Sequence, residues 1–140
     1  LAVADGATGG LIAASLLTVP GALDFLLGGG VIYSLRARDV LLALPRAAYR
    51  GMRGASADYA LLQARAIAAH FGAEWGLAES GSAGGSAHPS GAPAGRSVAA
   101  LVGPGLAETR LIETGSDDRI ANMGAFTRNA LDLLAEGLAR

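Results

Sequence analysis

A short apolar run that leaves through a glycine-rich turn and re-enters as an apolar helix constrains this chain more than any other feature. Leu1-Ala2-Val3-Ala4 has the character of a short buried strand, Asp5-Gly6-Ala7-Thr8-Gly9-Gly10 that of a turn, and Leu11 to Leu17 that of a helix. A strand passing through glycines into a helix opens an α/β layer arrangement. The same turn aims free backbone N–H groups and the positive end of a helix dipole at one spot. Such a spot suits a phosphate, a carboxylate or a developing oxyanion. No Ser, Cys or Lys stands in the turn. Glycine turns before helices also serve close packing alone, so the pattern does not by itself assign a function.

The length of 140 residues fits one domain, 1–140, with a sizeable core. Alanine and glycine dominate its apolar content, which suits helices packed closely on a sheet. Net charge is −1, so electrostatics give no case for nucleic acid or an anionic membrane. All 11 basic residues are arginine, which removes Schiff-base chemistry and a lysine general base. Without cysteine there is no disulfide, thiol nucleophile or thiolate zinc site. His70 and His88 fall on different elements with no ligand spacing, so neither a metal nor a cofactor is expected, and His88 reads as a solvated loop residue. Leu11 to Leu35 carries only Asp24 as a charge, but Pro20-Gly21 and Gly28-Gly29-Gly30 interrupt it. It reads as two buried elements, not as a membrane span. No signal peptide is visible, and the cytoplasm is the expected location. The chain begins without Met, as a fragment or a processed product would.

Gly30 to Ser34 reads as a second strand and Arg36 to Leu44 as a short helix ended by Pro45. Ser56 is placed to cap a helix whose apolar face runs Ala60, Ala64, Ile67, Phe71. Trp75 to Glu79 is a third strand. Gly81 to Gly95 is a long Gly/Ser/Ala/Pro loop, and such loops inside compact domains are usually functional or disordered. Ser97–Val102 and Glu108–Glu113 form a hairpin across Gly103-Pro104-Gly105. Ser116 is the expected cap of a last helix whose buried face is Ile120, Met123, Thr127, Ala130, Leu134 and Leu138. Together these give a three-layer α/β/α sandwich with a mixed, mostly parallel sheet.

Three exits are expected to meet at one end of that sheet: the Asp5–Gly10 turn, the segment at Tyr33, and the loop opening Glu79-Ser80-Gly81. Open α/β sheets bind ligands at such exits. Arg119 adds a cation in the first turn of a helix, where it opposes the dipole. An anionic ligand explains that placement, and so does neutralisation by Asp117 or Asp118. Tyr33 is equally open to core packing, and Ser80 to capping its own loop.

In this order the segments resemble the CinA C-terminal domain family, a family of competence/damage-inducible proteins and nicotinamide mononucleotide amidohydrolases. Ala4-Asp5-Gly6-Ala7-Thr8-Gly9-Gly10 stands where the family has A-E-S-C-T-G-G, and Val19-Pro20-Gly21 matches its V-P-G turn. Gly30-Val31-Ile32-Tyr33-Ser34-Leu35-Arg36-Ala37-Arg38 is similar to its G-V-x-x-Y-S-x-x-x-K. Ser80 to Gly85 follows its T-G-x-A-G-P loop, and Asp117-Asp118-Arg119 its G-D-R. The helix that precedes the first strand in the family has no counterpart here. The resemblance implies an α/β/α sandwich and hydrolysis of the nicotinamide mononucleotide carboxamide to nicotinic acid mononucleotide and ammonia. It also implies that the serine of A-E-S-C-T-G-G is the nucleophile and that the lysine assists it.

The chain departs from the family at both positions. Gly6 has no side chain, and Arg38 stays protonated at any working pH and cannot take a proton from serine. Two classes follow. The first is an amidohydrolase with altered chemistry, working through water or a hydroxyl of Thr8 or Ser80, with Asp5 as a candidate base. The second is a non-catalytic module that binds a nucleotide-like anion or serves assembly. The expected ligand contacts are Thr8, Gly9, Gly10, Tyr33, Arg38, Ser80, Gly81 and Arg119. The expected partners are a small anionic molecule, such as a pyridine mononucleotide, and further copies of the same chain in a homo-oligomer.

Overall fold

The computed structural model describes residues 1–140. Five strands form one sheet in the order β2-β1-β3-β4-β5: β1 Ala2–Asp5, β2 Gly28–Val31, β3 Gly76–Ser82, β4 Arg96–Gly103 and β5 Leu106–Glu113. β1 pairs in parallel with β2 and β3, and β4 runs antiparallel to β3 and β5, so β4 alone is reversed. Helices α1 (Leu11–Leu17), α2 (Leu35–Leu41), α3 (Ala57–Phe71) and α4 (Arg119–Leu138) complete the fold.

Alternation along the strands divides the core in two. Ala2, Ala4, Ala78, Val98 and Ala100 face α3 through Ala60, Ala64 and Ile67. Val3, Leu77, Ala99 and Leu101 face α1 and α4 through Ile12, Leu16, Ala130, Leu133 and Leu134. Burial on both faces of a sheet produces three layers. Small residues set the spacing. A Cβ on Gly76 would come within 2.1 Å of the Ala64 carbonyl oxygen, so α3 lies directly on β3 there. No helix is long and apolar enough to cross a membrane.

Several expected boundaries shift for identifiable reasons. The second strand runs Gly28–Val31 instead of Gly30–Ser34, because its register with β1 ends at Asp5↔Val31. Ser34 is needed elsewhere: its Oγ accepts the Ala37 N–H at 3.0 Å and caps α2. The third strand continues to Ser82, drawn out by pairing with β4 as far as Ser82↔Arg96. The last helix is capped by Asp118, whose Oδ1 accepts the Ala121 N–H at 3.1 Å. Ser116 Oγ instead accepts the Asp118 N–H at 3.0 Å.

The buried face of α4 holds the expected Thr127, Ala130 and Leu134, with Met123 half-buried, and departs from expectation at its two ends and in the residues it adds. Ile120 is 84% exposed and Leu138 57%, while Asn122, Phe126 and Leu133 are inside with Thr127, Ala130 and Leu134. Asn122 is buried because its amide donates to the carbonyls of Ala83 and Ser116 and accepts the Thr114 hydroxyl. In α3, Gln63 is buried and Phe71 is 39% exposed. Ser56 occupies the N-cap position of α3, but its hydroxyl bonds Arg53 and Asp58 and no helix N–H.

Candidate functional site

A pocket of about 390 Å³ opens beyond the carboxyl ends of β1, β2 and β3. Its wall includes Gly6, Tyr33, Arg38, Tyr59, Ser80, Gly81, His88 and Arg119. Parallel strands in open α/β sheets place ligand sites at this end.

The turn after β1 is closed from within. Asp5 is 1% exposed. Its Oδ1 accepts the Ile12 N–H at 3.0 Å and the Thr8 hydroxyl at 2.6 Å, and its Oδ2 accepts the Ala13 N–H at 3.2 Å. The anion that the start of α1 attracts is therefore the chain's own carboxylate. Thr8 is fully buried, and its N–H donates to Glu79 Oε2 at 2.9 Å. Thr8, Gly9 and Gly10 do not line the pocket, and neither does Asp5.

The other expected contacts do meet. Arg119 donates from Nη1 to the Gly84 carbonyl at 2.6 Å and from Nη2 to the Tyr33 hydroxyl at 2.9 Å. It thereby ties together the segments after β2 and β3 and the start of α4. The neighbouring carboxylates do not neutralise it: Asp117 accepts the Gly85 N–H, Asp118 caps α4, and Arg119 forms no ion pair. Tyr33 is 69% exposed, so its ring is not core packing. Arg38 Cζ lies over the Tyr49 ring, 3.6 Å from its centre, and its guanidinium pairs with Asp39 at 3.3 Å. Burial works against the Arg38 charge, but Tyr59, Asp39 and Tyr49 more than offset it and hold the guanidinium pKa above its usual value. Ser80 Oγ accepts the Ala55 N–H at 2.9 Å.

Two residues of the site escape a sequence reading. His88 is half-buried in the pocket wall, not a freely solvated loop residue. Glu79 lies directly behind the wall and is fully buried. Its Oε1 accepts the Ser97 hydroxyl at 2.6 Å and its Oε2 the Thr8 N–H. The only available signal was an acidic residue closing an otherwise apolar strand, Leu77-Ala78-Glu79. No three His, Asp or Glu side chains converge in a way that could hold a metal ion.

Burial raises the Glu79 pKa above the usual 4.5; hydrogen bonds from Ser97 and Thr8 oppose the shift and the Asp5 charge adds to it. A carboxyl with a raised native pKa binds more protons folded than unfolded, so its contribution to stability falls as pH rises through that window. The cost is absent below the usual glutamate value and complete above the raised one. Glu79→Gln keeps the shape and removes the charge. Urea unfolding from about pH 5 to about pH 8 should show the variant gaining on the parent as pH rises. A difference that does not change with pH would mean that Glu79 does not titrate in this way.

A mixed α/β/α sandwich with a pocket beyond the carboxyl ends of its parallel strands defines an open-sheet α/β domain. The chain belongs to the CinA C-terminal domain family, whose profile matches residues 1–138. It is 31% identical over 140 residues to a CinA-like protein of Myxococcus xanthus, covering 99% of this chain and 33% of that protein. A CinA-like protein of Gloeobacter violaceus is 34% identical over 137 residues, 96% of this chain and 32% of that protein. The chain thus spans about a third of the length of the curated relatives it matches. Among solved structures, the competence damage-inducible protein A of Klebsiella pneumoniae superposes with a TM-score of 0.88 at 28% identity, over 99% of this chain and 86% of that one. A competence or damage-inducible protein of Enterobacter asburiae gives 0.80 at 26% identity, over 96% of this chain and 85% of that one.

Proposed function

We propose that this domain binds a small anionic, nucleotide-like molecule in the pocket beyond β1–β3, and that it does not carry out the serine-dependent deamidation its family resemblance implies. The observation that carries the binding half is Arg119. It is a cation on the pocket wall with no counter-ion, held in place by two neutral oxygens. A guanidinium fixed in this way suits a phosphate or carboxylate better than a freely moving side chain would. Arg38 adds a second permanent charge on the same wall, partly balanced by Asp39. The absence of chemistry rests on Gly6 and Arg38, which offer neither a nucleophile nor a group able to take its proton. Asp5 and Thr8 do not replace them, since both are engaged in holding α1. A pyridine mononucleotide is the ligand to try first.

Calorimetric titration of nicotinamide mononucleotide into the parent and into Arg119→Ala tests the reading. A charge-assisted contact is worth about 1.5–3 kcal/mol, so the variant should bind about tenfold more weakly or worse. Its stability should change by no more than about 1 kcal/mol, because the Arg119 side chain makes its hydrogen bonds at the protein surface and not in the core. An unchanged Kd would make Arg119 a strut for its loop and nothing more.

A further inference from the structure

Residues 54 and 55 fasten one wall of the pocket. Ala55 holds a left-handed backbone, φ 56°, although it carries a Cβ and is only 2% exposed. Such a conformation persists where its surroundings enforce it. Here three segments do. The Ala55 N–H donates to Ser80 Oγ at 2.9 Å, and its carbonyl accepts from Arg96 Nε at 3.1 Å. The Ser90 hydroxyl lies 3.2 Å from the Gly54 carbonyl.

His88 is mounted on the same wall. The Ser90 N–H, whose direction the backbone fixes, points at His88 Nδ1 from 3.1 Å, and the Ser90 hydroxyl oxygen is 2.6 Å from that nitrogen. The backbone donor cannot turn away, so the tautomer is assigned with a bare Nδ1 and its proton on Nε2; the Ser90 hydroxyl, free to rotate, then donates to Nδ1 in place of the Gly54 carbonyl. Burial lowers the ring's pKa, which keeps it neutral at physiological pH. The ring edge rests on Gly54: a Cβ there would come within 2.9 Å of His88 Cε1. Nε2 lies 3.6 Å and Ser80 Oγ 3.9 Å from that same point. The two groups therefore flank one spot on the wall. Nε2 has no hydrogen-bond partner in the protein, and the Ser80 hydroxyl donates to none.

We propose that His88 is a specificity residue of this pocket, and that its Nε2–H, with the Ser80 hydroxyl beside it, forms an uncharged subsite for a neutral carbonyl or carboxamide on a ligand whose anionic group Arg119 holds. The inference rests on the anion-binding reading of the pocket and extends it. The ligand class becomes a small molecule with one anionic end and one neutral hydrogen-bonding end. His88 is a donor there and not a general base, since its only unprotonated nitrogen faces Ser90.

Nicotinamide mononucleotide and sulfate separate the two claims, because only the first carries a carboxamide. In calorimetry at neutral pH, His88→Ala should weaken nicotinamide mononucleotide binding about fivefold, the effect of one hydrogen bond, and leave sulfate binding unchanged. His88→Gln, which restores an N–H donor, should recover part of the loss. In the unmodified protein, NMR of nitrogen-15-labelled histidine should show the Nε2–H form. The Nε2 signal should move with nicotinamide mononucleotide and stay in place with sulfate. A parent that binds neither molecule removes the anion-binding reading and this subsite together. A parent that binds both while His88→Ala alters neither affinity, or a ring protonated on Nδ1, overturns the subsite and leaves the anion-binding reading standing.

Discussion

Gly6→Ser is expected to destabilise the domain by about 2–3 kcal/mol and lower its melting temperature by about 5–10 °C, without making it an amidohydrolase. The resemblance aligns this position with the family's nucleophilic serine, so the exchange is the obvious attempt at restoring activity. The local geometry opposes it. A Cβ at residue 6 would lie 2.3 Å from the Glu79 carbonyl oxygen and 3.2 Å from Glu79 Oε2. The first contact is with backbone, and that backbone is fixed by the pairing of Glu79 with Ala99 in β4. β1 and β3 must separate, or Glu79 must leave its bonds to Thr8 and Ser97. Either movement disturbs a core packed on both faces. Gly124→Ala in α4 is the control, since an added Cβ there meets only the Arg128 guanidinium at 3.8 Å and improves helix propensity. Thermal unfolding followed by circular dichroism should show Gly6→Ser well below the parent and Gly124→Ala at or above it. A Gly6→Ser protein that melts with the parent would show that the sheet yields easily at this point.

Gly6 and Glu79 illustrate where sequence reading stops. The strand–turn–helix opening, the α3 segment and the hairpin are written in local periodicity and glycine placement, so the sandwich was legible. The ends of the α4 face and its buried asparagine were not. Asn122 is polar by composition, yet it is buried through bonds to Ala83, Thr114 and Ser116. Ile120 is apolar, yet it is exposed. Hydrophobic pattern records burial of carbon and is blind to a polar group satisfied by distant partners.

The same limit governs the site. Tyr33, Arg38, Ser80, Gly81 and Arg119 reach one pocket because fold topology alone brings strand exits together. Asp5 and Thr8 stand in the same motif but point inward. Only the geometry of Ile12 and Ala13 reveals that Asp5 caps α1. His88 sits in a loop whose composition suggests solvent, and its contact with Gly54 joins residues 34 positions apart in the chain. Nothing in the neighbouring sequence announces that contact.

The proposed pocket binds its ligand without the serine-based reaction. Losing a nucleophile costs an enzyme of this kind on the order of 10⁶ in turnover, which takes a typical rate of about 10 s⁻¹ far below detection. In the proposed reading neither Arg38 nor Ser80 repairs the loss. Arg38 cannot take a proton, and the Ser80 hydroxyl accepts from Ala55 and has beside it only the Nε2–H edge of His88, which donates. The decisive measurement is ammonia release from nicotinamide mononucleotide by the unmodified 140-residue chain, at a ligand concentration where calorimetry on the same preparation reports the site filled. The expected result is saturable binding with no ammonia above the protein-free blank. Ammonia released at about 1 s⁻¹ or faster, within the ordinary range of enzymes, would contradict it.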